Sequence, residues 1–434
     1  MNCSHETARL MLGLNEKIDS SFQMKISKLV RNDVSMASMV VLATSLTNAA
    51  LNMLLVSKVA RDLGPSGFGP YAAALALGGS ISMVIGGFQI AVATTTATNT
   101  DTAGESNNSI KHLLMNALVG LGLLLAIIWI FLAPAISDLV GINSTMVLSL
   151  SIVLPISAAV SVVDGVLFGL GKFKFVQLLS VANTFFKLVF GYLFLTFHGP
   201  VNLLPALVYI SALPTIFVAA TAARSRNIQL PSLRSMQLWL TNGVILLFWI
   251  SLQMDILVSN RIFKPDEAGV YASYATIGKA MTSLALLIGF YLIPRFHKNQ
   301  DSIEQKRQLI NRAVLASGLV GAVIAFSILW IDVIKDVFGK SYNFDKHLEF
   351  LVLVSHIPWC VMVCLVQLKA ARTTSSYLVS FCLFVSAEYF AFTQVDSVVS
   401  LSISMMCFGA IGALLVYLHS FFAYGINRLG PSNQ

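Results

Sequence analysis

From Val34 onward the chain alternates long apolar runs with short polar joints, whereas residues 1–33 are polar and mixed in charge. The runs fall at 34–57, 70–98, 112–136, 145–170, 175–197, 202–223, 238–260, 270–293, 309–331, 348–370, 374–393 and 396–420. Each meets the roughly 20 residues that an α-helix needs to cross a bilayer. A helix pairs its own backbone donors and acceptors, which hydrocarbon requires. The pattern therefore predicts an all-α polytopic membrane protein of about twelve transmembrane helices. Glu388, Gln394 and Asp396 interrupt the last stretch and make its boundary the least marked. Pro155, Pro205, Pro214 and Pro358 fall inside runs and predict kinks there.

Composition agrees and excludes alternatives. Of 434 residues, 56% are hydrophobic and only 11% charged, against about 25% charged in soluble domains. That excludes a water-facing globular surface, and the apolar content excludes disorder. The net charge of +8 reads as topology. Most basic residues gather in one set of joints, while the other set holds Lys58, Arg61, Arg261, Lys264, Lys335, Lys340 and Lys346. With the richer side cytoplasmic, both termini face the cytoplasm of a multi-pass cell-membrane protein. No signal peptide is expected, and no basic stripe interleaved with aromatics points to nucleic acid. The expected organisation is a cytoplasmic segment 1–33, an N-terminal lobe 34–223, a linker 224–237, a C-terminal lobe 238–420 and a tail 421–434.

An internal repeat divides the chain. Leu55-Val56-Ser57 recurs as Leu257-Val258-Ser259, and Gly69, Tyr71 and Ala72 recur as Gly269, Tyr271 and Ala272. Six runs per copy make the copies parallel, related by an axis along the membrane normal. Two pseudo-symmetric six-helix lobes with a gap between them follow, an architecture suited to a carrier.

Charges inside the runs are few and expensive. Lys187 and Lys279, with Arg61 and Arg261 at the joints, suit a cavity for an anionic head group. Alternatively, Asp255 neutralises Lys279 or Lys187. Asn48, Asn52 and Gln89 are uncharged cavity candidates, or bonds between helices. Asp164, Asp255 and Glu388 are candidates for proton or sodium coupling. The five cysteines form no disulfide framework, and Cys360 and Cys364 with His356 complete no metal set, so no metal or other cofactor is expected. The chain has no GxxxxGK[ST], HExxH or GxSxG, and the expected reading is not an enzyme.

Ala60-Arg61-Asp62-Leu63-Gly64-Pro65-Ser66-Gly67-Phe68-Gly69-Pro70-Tyr71 resembles the joint after the first helix of polysaccharide-biosynthesis (Wzx-like) flippases. These belong to the multidrug, oligosaccharidyl-lipid, polysaccharide (MOP) exporter superfamily. Met254-Asp255, Gly269-Val270-Tyr271 and Pro294-Arg295-Phe296 are similar to that family's seventh- and eighth-helix motifs. The resemblance implies a MATE/MOP-like fold and export or flipping of a lipid-linked oligosaccharide by alternating access. It also implies glycan polymerase or glycosyltransferase partners, and motif or gating positions Arg61, Gly64, Gly69, Gly269, Pro294 and Arg295. A cation-coupled multidrug or metabolite antiporter of the same superfamily is the alternative, and a scaffold or scramblase without directed transport is the third.

Overall fold

The computed structural model describes residues 40, 42–83, 89, 92, 93, 96, 108–223, 236–298, 303–329, 333–339, 341, 342, 344–370 and 374–426. The expected terminal segment 1–33 and nearly all of the linker 224–237 lie outside them, as do Val34 to Met39 of the first expected span and the end of the tail. The described residues are helical throughout, apart from short joints. Helix α1 covers 42–83 and turns at Gly64, whose φ of 65° is left-handed. There follow α2 (Asn108–Val140), α3 (Ser144–Ser149), α4 (Val153–Gly169), α5 (Phe173–Thr196), α6 (Leu204–Ile210) and α7 (Leu213–Ala223). The second half holds α8 (Met236–Ile262), α9 (Pro265–Lys298), α10 (Ile303–Leu329), α11 (Val333–Phe338), α12 (Lys346–Ser355), α13 (Ile357–Ala370), α14 (Ser375–Thr393) and α15 (Val398–Ile426).

Among the described residues, nine helical stretches are long and apolar enough to cross a membrane, and each coincides with an expected span. The protein is an all-α, multi-pass membrane protein. The expected eighth span lies within α9, and the first two run partly outside the described residues.

The prolines act as breaks rather than gentle kinks. Pro155 is the third residue of α4, after the 3₁₀ turn Leu150–Ile152. Pro205 and Pro214 are each the second residue of their helices, α6 and α7, and Pro358 is the second of α13. A proline lacks an N–H and clashes with the preceding turn, so it fits the first turn of a helix and ends the one before. Several expected spans are thereby built from two short helices each.

Packing separates the chain into two groups. In the first half α2 packs on α4, α4 on α7, and α5 on α6 and α7. Helix α1 joins this half, with Thr44 Oγ1 donating to Gln177 Oε1 at 2.8 Å and Leu55 seated against Gly191. In the second half α9 and α13 are central, with α10, α12 and α15 around them and α14 on α8.

The halves meet at the ends carrying the joints 57–70, 140–143, 259–270 and 333–339, and again further along α1 and α8, where Ser80 Oγ donates to the Trp249 carbonyl at 3.4 Å. The repeat glycines lie against each other: a Cβ on Gly69 would stand 3.2 Å from the Gly269 nitrogen, and one on Gly269 would stand 1.8 Å from the Pro65 carbonyl oxygen. Asn260 Nδ2 donates to the Val140 and Gly141 carbonyls at 3.1 and 3.0 Å. Helix α11 forms a clasp over α1, where Ser57 Oγ and Arg61 Nε donate to the Val337 carbonyl at 2.5 and 3.0 Å. Beneath it the Phe68 ring sits 5.7 Å from Phe338 and 6.4 Å from Tyr342, whose hydroxyl donates to the Ala60 carbonyl at 3.1 Å. Burial holds the Tyr342 phenol above its ordinary range, so it remains a donor.

The two repeat glycines differ in the space around them, which gives an ordering. Gly269→Ala places a methyl inside a carbonyl and should cost at least the ~1–3 kcal/mol of an overpacked site. Gly69→Ala asks its neighbours for a few tenths of an ångström. Thermal unfolding of the purified protein should show G269A well below G69A, and equal midpoints would contradict this contact.

Candidate functional site

The charges that the bilayer penalises most gather in the second half. On α8, Ser251 and Asp255 stand four residues apart and share a face; on α9, Tyr271 and Lys279 stand eight apart and share another. Asp255 is wholly buried. Its Oδ1 accepts from Lys279 Nζ at 2.7 Å, and its Oδ2 accepts from the Tyr271 hydroxyl at 2.9 Å. Lys279 also donates to Gln253 Oε1 at 2.8 Å. Of the two partners open to Asp255 on paper, Lys279 is the one in contact. Glu388 on α14 is wholly buried too and accepts from Ser251 Oγ, its Oε1 having no partner.

His356 completes the cluster. It caps the C-terminus of α12 at the break that Pro358 imposes, with its Nε2 3.9 Å from Asp255 Oδ2. A Cβ on Gly278 would lie 2.5 Å from its ring, so the glycine is what admits the imidazole. The sequence shows His356 only beside cysteines, and its nearness to Asp255 comes from a chain separation that no local spacing reveals. Tyr271 stands in the repeat motif, but nothing local marks it as a carboxylate partner.

The pair is absent from the first copy. At the repeat offsets, Asp255 and Lys279 correspond to Met53 and Gly79. Tyr71, the counterpart of Tyr271, is fully buried with a hydroxyl that has no partner. Acid and base are thus both second-copy features, as expected where either alone would be an uncompensated buried charge.

One cavity reaches this cluster and two more hold first-half candidates. One, of about 170 Å³, lies between the halves, with Val56, Phe68 and Tyr71 on one wall and Gln253, Thr276 and Lys279 on the other. A second, of about 200 Å³, lies in the first half between Ser82, Gln89, Ser157, Asn183, Lys187 and Tyr209. A third, of similar size, holds Asp164 with Ser180, Asn183 and Thr215, so Asn183 borders both. Asn48 Nδ2 donates to Ser180 Oγ at 2.9 Å, tying α1 to that wall, while Asn52 is exposed. No ion pair to Lys187 occurs among the described residues.

The joint residues play other parts. Arg61 binds the α11 clasp, Arg261 Nη1 donates to the Tyr389 hydroxyl at 2.9 Å, and Lys58 pairs with Asp62 at 2.8 Å. Gly64 makes the turn of α1, and Gly69 and Gly269 make the lobe contact. Pro294 and Arg295 lie within α9, their side chains outside the described residues. The described residues hold no group of three or more His, Cys, Asp or Glu placed for a metal ion.

Removing either partner of Asp255–Lys279 leaves a buried charge, at about 3–5 kcal/mol, whereas replacing both removes the mismatch. Asp255→Asn or Lys279→Met alone should therefore lower thermal stability more than the double variant D255N/K279M does. Additive losses in the double variant would contradict a direct pair.

No protein-family model matches the chain, and no curated protein sequence matches it. Solved structures do. The chain is similar to the lipid II flippase MurJ in an inward closed conformation, with TM-score 0.66 and 12% identity over 89% of this chain and 87% of that one. It is also similar to an inward-facing multidrug resistance MATE family transporter of the MOP superfamily, with TM-score 0.63 and 14% identity, covering 91% of this chain and 100% of that one. A mutant form of the Vibrio cholerae MATE transporter VcmN follows at TM-score 0.60 and 14% identity over 90% and 98%. These are transporters and a flippase rather than enzymes. The chain has the fold shared by these MATE and MurJ structures.

Proposed function

We propose that the protein is a secondary transporter of the cytoplasmic membrane, working by alternating access, with the clasped face external and both termini cytoplasmic. One observation carries this reading. The halves are joined at one face by small residues and a short clasp, above a cavity lined from both sides by Val56, Tyr71, Gln253 and Lys279. Such a junction opens by rigid-body movement without unfolding either half. The first-half wall is mainly apolar, and the second-half wall brings Gln253, Thr276 and Lys279 to the cavity.

For cargo and coupling, a multidrug or metabolite antiporter driven by protons or sodium has the broader support, since several of the matched structures are described as MATE transporters. Lys279 is occupied by Asp255, which weakens the expected cationic cavity. Asp164 and Glu388 supply carboxyls for coupling. The second reading is flipping of a lipid-linked oligosaccharide beside glycan-assembly enzymes. It is favoured by Lys187, facing a polar cavity without an ion pair among the described residues, and by the joint motif at 60–71. The likeness to MurJ adds to it.

A reversible lock tests alternating access. A Cβ on Gly141 would stand 3.6 Å from Arg261 Cβ, within the span of a disulfide. In proteoliposomes under an imposed proton or sodium gradient, G141C/R261C should move a fluorescent organic cation when reduced and lose nearly all movement when oxidised. A parallel arm with a lipid-linked oligosaccharide tests the second reading. Equal transport by the oxidised and reduced forms would overturn the mechanism.

A further inference from the structure

The wholly buried imidazole of His356 faces a carboxylate with no donor between them. Its Nδ1 lies 2.8 Å from the Val352 carbonyl, which only accepts, so Nδ1 carries a hydrogen in every protonation state. In the neutral ring Nε2 is then a bare lone pair, and it has no hydrogen-bond partner. Nε2 points at Asp255 Oδ2 from 3.9 Å, where two acceptors oppose each other. A proton on Nε2 supplies the missing donor and turns the contact into a charge-assisted hydrogen bond.

That proton would put two cations on one carboxylate, and the two are not equally free to leave. His356 is enclosed, with Gly278 against its ring and its backbone at a helix break. Lys279 borders the cavity between the halves and already shares its ammonium with Gln253. We propose that His356 is the proton acceptor of the second half, and that its protonation moves Asp255 from Lys279 to His356 and frees the Lys279 ammonium into the cavity between the halves.

The groups around the imidazole allow this exchange. Helix α8 presents Asp255, α9 presents Lys279 and Tyr271, and α14 presents Glu388, held by Ser251. Cys360 lies one turn further along α13. The charged residues of α10 are confined to its first ten positions, those of α12 to its first four, and α15 contributes only His419, near its far end. Protonation therefore changes the charge facing a cargo, which makes proton and cargo binding interdependent and reciprocal. This role rests on the transport reading for its use, whereas the proton exchange itself does not.

The test needs no cargo, so it fails or succeeds independently of transport. Full-length protein with ¹⁵N-histidine is reconstituted in lipid, and the His356 signal is identified by its loss in H356Q. Its Nε2 should be unprotonated at pH 8 and take up a proton on acidification. In Lys279→Gln, where the carboxylate has lost its ammonium, the midpoint should rise by about one pH unit or more, a tenfold gain in proton affinity. An Nε2 that stays unprotonated throughout, or a midpoint that does not move in K279Q, would overturn the exchange.

Discussion

Position 269 has room for a hydrogen atom and nothing larger. Because a Cβ there would penetrate the Pro65 carbonyl, the two halves approach backbone to backbone at one face. This close approach brings α11 within reach of Ser57 and Arg61, and seats Phe68 among Phe338 and Tyr342. It also leaves the cavity beneath bordered by residues of both halves. Small residues at helix contacts are the membrane's substitute for hydrophobic burial, since lipid is as apolar as leucine. A contact built this way rests on close backbone approach rather than on interlocked large side chains, which suits a junction that must part.

The second constraint is electrostatic. A fully buried carboxylate on a membrane-crossing helix stands only because its oxygens are occupied, one by an ammonium and one by a phenol. Such a pair is weak evidence for stability, because burying it costs as much as it returns. Its presence in one repeat copy and absence from the other points instead to a task carried by the second half alone. The opposed acceptors at His356 and Asp255 give that half a second arrangement within short reach.

Much of this architecture is legible in the sequence because its signals are local. Apolar runs, joints and prolines are read within about twenty residues, and among the described residues nine runs return as helices long and apolar enough to cross a membrane. The recurrence of Gly69 and Gly269 is also legible, and explains why two lobes were expected. That these glycines touch is not legible, since the repeat gives their equivalence and not their distance. The same limit governs the site. Asp255 and Lys279 stand out as buried charges, but choosing Lys279 over Lys187 takes three-dimensional placement. His356 enters only through the break at Pro358 and the gap at Gly278, which lie far apart in the chain. The MATE/MOP fold is carried by the matched structures at 11–14% identity, where span pattern persists and side chains do not.

The central claim is that the two halves part at the face where Gly269 meets Pro65. Spin labels at the exposed positions Ser66 and Glu267, one on each half, report that distance directly by pulsed electron resonance. In lipid the protein should show a short distance matching the clasped arrangement and a second population longer by many ångströms. The balance between them should shift when the proton or sodium concentration changes. One short, narrow distance under all conditions would contradict the account.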